Sequence, residues 1–185
     1  SKITLEDVAY AQNAGYVVKL IGQAKRLEGG KSEVMVSPAF VPVENQLSGV
    51  DDVFNGVLVK GDATGEVMFY GKGAGKLPTA SAVVADVVHI AKSQNTSQSL
   101  TWEDSAADTV ADISGYENAF YYRLCGSIAK EELAGLFGKV TCLSRQGQPD
   151  DETAFLTGKM KEAQALAAEQ KLGNVKILGK IRLLG

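Results

Sequence analysis

The sequence predicts an α+β protein built from two consecutive parts. Residues 1–93 show two pairs of alternating strands between two helical stretches, and residues 117–185 show the order strand, helix, strand, strand, helix, strand. Between them, S-Q-N-T-S-Q-S from Ser93 to Ser99 is polar and has no apolar anchor. We therefore predict a domain at 1–93, a linker or crossing segment at 94–116, and a second domain at 117–185.

The first part opens with a helix and continues as two hairpins. Thr4 is the expected N-cap, with Asp7 three residues on in a capping-box arrangement, and Gly29-Gly30 has the composition of a hairpin turn. A short helical turn is predicted from Leu47 to Asp52. The other predicted elements are, in order, the helix Thr4 to Ala14 and the strands Tyr16 to Leu27, Glu33 to Val43, Asn55 to Lys60 and Glu66 to Tyr70.

A glycine-rich turn then leads into a second helix. The stretch Gly71 to Ala85 reads G-K-G-A-G-K-L-P-T-A-S-A-V-V-A, and the helix is predicted from Pro78 to Lys92. Three glycines in five residues allow a ligand or another backbone segment to approach closely. Their spacing differs from G-x-G-x-x-G and they follow a hairpin, so the turn does not match the phosphate loop of a dinucleotide-binding unit.

The second part is predicted to be a split βαβ sandwich. Its strand, helix, strand, strand, helix, strand order places both helices on one face of a four-stranded sheet. The predicted elements are the strand Glu117 to Leu124, the helix Lys130 to Phe137, the strands Val140 to Gln146 and Thr153 to Thr157, the helix Met160 to Leu172 and the strand Val175 to Leu184.

Composition excludes several classes of partner. The 185 residues include 19 Lys+Arg and 22 Asp+Glu, a net charge of -3, so no basic field attracts nucleic acid or a membrane surface. Apolar runs are far shorter than a bilayer span. With one histidine and no C-x-x-C pair, we expect no metal site, and we expect Cys125 and Cys142 to be reduced, buried thiols in a cytoplasmic protein.

Two segments resemble the substrate-domain signature of homoserine dehydrogenase. They are S-P-A-F-V-P-V from Ser37 to Val43 and G-V-L-V-K-G-D-A-T-G-E-V-M-F-Y-G from Gly56 to Gly71. The resemblance implies that the first part is a partial substrate domain, a mixed sheet with helices on one face. It also implies that the glycine turn faces the substrate cleft and the nicotinamide end of NAD or NADP. On that basis Gly73 and Gly75 are the candidate cofactor-binding residues.

The resemblance also implies that the reacting groups lie outside this chain. In the family, the Rossmann domain, the acid/base lysine and the carboxylates that hold homoserine precede the motif matched by Ser37 to Val43. The opening, Ser1 to Asp7, resembles the sequence just after them. We therefore assign no catalytic residue and expect a C-terminal fragment that binds no cofactor and is inactive alone. The parent enzyme would interconvert L-homoserine and L-aspartate 4-semialdehyde in threonine, methionine and isoleucine biosynthesis.

The second part, placed behind such a segment, resembles an ACT domain, a module that senses small molecules. An amino-acid effector such as threonine would then bind at the loop that contains Gly126 and Ser127. That loop has one glycine and no proline, and Thr157-Gly158 replaces the common Thr-His pair, so a role in assembly is the alternative.

A homo-oligomer, dimer or higher, is also expected. Substrate domains of the family pair through their sheets, and the strands Tyr16 to Leu27 and Glu33 to Val43 would supply that face.

Overall fold

The computed structural model describes residues 3–93, 101–104 and 108–185 and confirms an α+β fold with a mixed sheet. It contains two compact units: unit 1 combines Ser1–Ser48 with Ala106–Gly185, and unit 2 is Gly49–Ser105. In chain order the elements are α1 (Leu5–Asn13), β1 (Tyr16–Arg26), β2 (Ser32–Pro42), β3 (Phe54–Gly61), β4 (Gly65–Lys72), α2 (Lys76–Lys92), β5 (Glu117–Cys125), α3 (Lys130–Phe137), β6 (Val140–Leu143), β7 (Glu152–Thr157), β8 (Met160–Lys161), α4 (Glu162–Glu169) and β9 (Lys176–Leu183). Short 3-10 turns occupy Gln46–Gly49 and Ile113–Gly115.

The main sheet of unit 1 has the strand order β1-β2-β9-β5-β7-β6, with β8 paired to β5. The predicted βαββαβ order is present, and its four main strands are antiparallel neighbours. β2 pairs in parallel with β9 through Ala39 with Arg182 and Phe40 with Leu183. The compact units therefore do not follow the predicted division at 94–116, because the first hairpin extends the sheet of the second part.

Helices cover both faces of this sheet. One face carries Phe120, Tyr122 and Phe155, which pack with buried residues of α3 and α4, so those two helices share a face as predicted. The opposite face carries Phe40 and Tyr121, whose rings stack at 4.6 Å beneath α1. The expected mixed sheet with helices on one face is therefore corrected, since α1 is amphipathic and buries its apolar side against the second face.

The described end of the predicted linker, residues 108–116, is structured. Ser32 bridges to Val110, and the backbone N–H of Val34 donates to the Tyr116 hydroxyl, which donates to the Ala111 carbonyl. Tyr116 is itself buried. These contacts attach the segment to β2 and exclude a free crossing loop at residues 108–116. Residues 94–100 and 105–107 of the predicted linker lie outside the described residues.

Unit 2 consists of the β3–β4 hairpin and α2. The hairpin pairs from Phe54 with Lys72 to Gly61 with Gly65, close to the predicted strands. α2 begins at Lys76, two residues before Pro78. The structure describes every residue of this helix, and none of them is buried. Across the described residues, no helix is long and apolar enough to cross a membrane.

Candidate functional site

The glycine turn of unit 2 connects β4 to α2. At Gly73 a Cβ atom would overlap the side-chain amide of Asn55, and at Gly75 the backbone φ is 121°, a region that side chains rarely tolerate. Gly75 is the N-cap of α2, and its carbonyl accepts from the Thr79 N–H. Gly75 is therefore required by the chain's own conformation, whereas a side chain at Gly73 would require the exposed Asn55 side chain to move.

Aromatic and basic side chains surround the turn. The rings of Phe54 and Tyr70 stack at 4.9 Å, and the Lys72 ammonium lies 5.7 Å from the Phe54 centroid. No acidic residue and no side-chain cap occupies the first turn of α2, so its amides favour an anionic or polar group. Residues 71–75 of the turn are all exposed. The turn itself carries no acid/base pair.

The loop with Gly126 and Ser127 makes contacts within unit 1. Gly126 has φ 124°, a Cβ there would overlap Val175, and its N–H donates to the Asp151 carbonyl. The Ser127 hydroxyl donates to the Asp150 carbonyl at 3.3 Å, and the N-cap of α3 is Ala129. Ser127 therefore does not cap α3, because its hydroxyl bonds the adjacent turn.

A buried ionic cluster, which sequence analysis did not assign, lies between α1 and the sheet. Nε of Arg123 lies 2.8 Å from Asp7 Oδ1, and its Nη1 lies 3.1 Å from Glu152 Oε2. Nη2 of Arg145 lies 2.8 Å from Glu152 Oε1. We call this set the Arg123 cluster; its remaining members are hydroxyls that bond these charges, from Thr4, Tyr10 and Tyr121.

The electrostatics of the Arg123 cluster favour its ionised form. Burial alone would raise the pKa of the Glu152 carboxyl, but hydrogen bonds from Arg123, Arg145 and Tyr10 together lower it. Burial and the bond to Glu152 raise the pKa of Tyr10 to about 12. The one sequence signal was Arg123 itself, a lone charge in the apolar strand A-F-Y-Y-R-L-C. Because the charges of the Arg123 cluster are already paired with one another, we interpret the cluster as a structural element.

A second ionic group lies on the other face of the sheet, between α4 and β9. Nζ of Lys180 lies 2.6 Å from Glu169 Oε1, and Nε of Arg182 lies 2.5 Å from Glu162 Oε1. The Tyr122 hydroxyl donates to Glu169 at 2.6 Å. We call Glu162, Glu169, Lys180 and Arg182 the Lys180 quartet.

Two open cavities adjoin the Lys180 quartet. Their volumes are about 370 and 440 Å³, and Lys180 and Arg182 line both. The chain therefore has a polar, partly enclosed surface here that sequence analysis did not anticipate.

The cysteines do not behave as expected. Cys125 and Cys142 are exposed, so the prediction of buried thiols is wrong: Cys125 is the last residue of β5, and Cys142 lies on β6, an edge strand of the described sheet. Among the residues that the structure describes, no group of three or more His, Cys, Asp or Glu could hold a metal ion.

Comparison with known proteins gives the same family for both parts of the chain. The homoserine dehydrogenase family model matches residues 1–88. Homoserine dehydrogenase of Bacillus subtilis is 50% identical over 92 residues, 50% of this chain and 21% of the relative. The enzyme of Neisseria gonorrhoeae is 33% identical over 172 residues, 89% of this chain and 38% of the relative.

Solved structures extend the similarity to the whole chain. A homoserine dehydrogenase from Thiobacillus denitrificans superposes with a TM-score of 0.76 and 31% identity, over 98% of this chain and 46% of that chain. The S. aureus homoserine dehydrogenase at pH 7.0 gives 0.75 and 25% identity, over 99% and 45%. The chain thus spans less than half the length of these relatives. It belongs to the homoserine dehydrogenase family.

Proposed function

We propose that this chain is part of an NAD(P)-dependent homoserine dehydrogenase, which interconverts L-homoserine and L-aspartate 4-semialdehyde in the biosynthesis of threonine, methionine and isoleucine. The observation that carries the proposal is the similarity to proteins of that name over 98% of the chain in structure and 89% in sequence. Such a biosynthetic role favours a cytoplasmic location.

Within that enzyme, we assign Gly73 and Gly75 to the wall of the cofactor and substrate cleft. The bound nicotinamide would supply the hydride acceptor or donor. The contribution of this chain is an exposed turn in which Gly73 and Gly75 have no side chain, so that the cofactor can approach the backbone closely. The groups that manage the hydroxyl proton would come from the part of the enzyme that this chain does not span, so we propose that the chain alone is inactive.

A chimeric enzyme tests this proposal. The 92-residue stretch of the Bacillus subtilis enzyme that matches this chain would be replaced by the aligned stretch of this chain. We expect homoserine-dependent reduction of NAD(P)⁺ by the chimera and none by the isolated chain. A folded chimera without activity, or turnover by the isolated chain, would contradict the proposal.

Glycine variants of the chimera test the assigned turn. Gly73→Val and Gly75→Val should lower activity strongly, because a side chain would occupy the space of the cofactor or displace the turn. Gly49→Ala is the matched control, since a Cβ there meets nothing within 4 Å and its φ is ordinary. A chimera in which both valine variants keep full activity would remove Gly73 and Gly75 from the site.

We also propose that the intact protein is a homo-oligomer that associates through β1 and β2. β1 is an edge strand in the described sheet. The register pairs Leu20 with Pro38 and Gly22 with Val36, so these residues share a face. Leu20 and Val36 are 73% and 72% exposed there, an apolar surface of the kind that protein contacts cover.

An amino-acid sensing role is the second candidate function. The βαββαβ segment from β5 to β9 has the strand order β9-β5-β7-β6, which is compatible with an ACT-like module. The proposed effector is a small amino acid such as threonine.

A further inference from the structure

The Asn55 side chain lies directly against the glycine turn of unit 2. Asn55 pairs across the β3–β4 hairpin with Gly71, the residue at which the turn starts. A Cβ atom placed on Gly73 would overlap Nδ2 of Asn55 and lie 3.0 Å from its Cγ. The amide therefore occupies the space that the absent side chain of Gly73 leaves open, and it adjoins the backbone of the turn.

The Asn55 amide has hydrogen-bonding capacity that the protein does not use. A primary amide carries two N–H donors and a carbonyl acceptor. Asn13 and Asn118 use theirs within the protein, since they donate to the Ser144 carbonyl and to Glu162. No described residue forms a hydrogen bond with the Asn55 side chain, which is exposed. A ligand that approaches the turn on this side would therefore meet both a donor and an acceptor.

The face of the hairpin that carries Asn55 has no charge. Side chains alternate between the two faces, so Val57 and its partner Phe69 lie on the same face as Asn55, where they are 58% and 64% exposed. The charged residues of the two strands all fall on the opposite face: Lys60, Glu66 and Lys72. A phosphate or a carboxylate would find no cation from the hairpin here, whereas a neutral ring that carries an amide matches apolar side chains and one polar group.

We propose that the Asn55 amide binds the carboxamide of the nicotinamide group, donating to its carbonyl oxygen and accepting from its N–H. This assignment rests on the proposed function, in which Gly73 and Gly75 form a wall of the cofactor and substrate cleft. It adds a side chain to that wall and gives it a role in specificity, because Asn55 selects the coenzyme by its carboxamide. The absence of a side chain at Gly73 leaves the amide room to take this position.

Coenzyme analogues test the assignment by binding, without any need for turnover. The chimera would be titrated by calorimetry with NADH and NADPH and with their 3-acetylpyridine analogues, in which a methyl group replaces the amide nitrogen. We expect the analogue of the preferred coenzyme to bind about three- to tenfold more weakly, because one hydrogen bond is lost. Equal binding of the coenzyme and its analogue would overturn the assignment.

Variants of the chimera attribute the preference to Asn55. Asn55→Ala should bind the natural coenzyme about three- to tenfold more weakly and should lose most of its preference over the analogue. Lys60→Ala is the matched control, since it shortens an 81% exposed side chain on the opposite face of the same strand. Circular dichroism and a melting curve verify that each variant is folded. If Asn55→Ala does not fold, the analogue comparison in the unaltered chimera still decides.

The outcomes separate this assignment from the proposed function. An active chimera in which Asn55→Ala weakens the coenzyme and its analogue equally would show that Asn55 only supports the turn, and the assignment would be wrong while the dehydrogenase proposal stands. A change in the KM for homoserine with no change in coenzyme preference would overturn it in favour of substrate binding. A folded chimera that neither binds coenzyme nor turns over would overturn both proposals.

Discussion

Asp7 and Arg123 are 116 positions apart in the sequence, yet Nε of Arg123 lies 2.8 Å from Oδ1 of Asp7 inside unit 1. The same carboxylate caps α1, because its Oδ2 accepts from the Thr4 N–H at 2.9 Å. One buried side chain therefore both begins a helix and joins that helix to the central strand β5. This relationship, more than any local preference, holds the first helix against the sheet.

Arg123→Met should destabilise unit 1 by about 3–5 kcal/mol, because it leaves Asp7 and Glu152 as buried carboxylates with too few partners. Chemical denaturation monitored by circular dichroism measures the change. Combining Arg123→Met with Asp7→Asn should recover part of the loss, since the second change removes one of the unpaired charges.

Lys176→Met serves as the control for the Arg123 variant, and because Lys176 is exposed it should change stability by about 0.5 kcal/mol or less. An Arg123→Met protein as stable as this control would show that the Arg123 cluster contributes nothing.

Stability should fall in acid because of Glu152. The pKa of its carboxyl is lowered in the folded state, so its contribution is complete above the ordinary glutamate pKa of about 4.3 and is lost as pH falls through the folded value. The Glu152→Gln variant should be less stable at neutral pH and show a flatter decline below about pH 5. Free energies of unfolding measured across this pH range test the prediction. Parallel curves for the unaltered protein and for Glu152→Gln would show that Glu152 does not cause the loss of stability in acid.

Two glycine-to-alanine changes should have opposite effects. Gly126→Ala should destabilise by about 2 kcal/mol or more, because φ is 124° and the new Cβ would overlap Val175. Gly135→Ala, in the exposed interior of α3 with nothing within 4 Å, should stabilise by about 0.5–1 kcal/mol. Thermal melts of both variants test the pair. A Gly126→Ala protein with unchanged stability would mean that this loop tolerates a side chain.

The apolar face of β1 and β2 should control association. Sedimentation velocity over a range of concentrations should show a dimer or higher oligomer, and Val36→Lys should shift it toward monomer because a lysine would be buried in the contact. Leu5→Lys, on α1 at a position 84% exposed, should have no such effect.

The exposed helix α2 offers a competing surface for that association. Its Val84 is 60% exposed. If Val84→Lys dissociates the oligomer and Val36→Lys does not, the contact lies on unit 2 and the proposal for β1 and β2 is wrong. A protein that stays monomeric at high concentration would contradict association altogether.

Local signals predicted the elements well. α3 has the predicted bounds, and Thr4, Gly29-Gly30 and the alternating strands gave α1 and the first hairpin to within one or two residues. α4 is shorter than predicted because Met160 and Lys161 pair with β5 as β8, a contact that helix propensity does not report. The positive φ of Gly75 agrees with the prediction of a glycine-rich turn between β4 and α2.

The sequence by itself determined the element types, the βαββαβ order and the glycine-rich turn, because each depends on local composition and spacing, and two of its motifs carried the resemblance to the family. Only the tertiary structure decided that the first hairpin joins the second sheet through Ala39 and Phe40, that α1 covers its far face, and that Arg123 and the Lys180 quartet assemble as ion pairs. Those features depend on contacts between residues far apart in the chain, and a pattern read along one segment does not contain them.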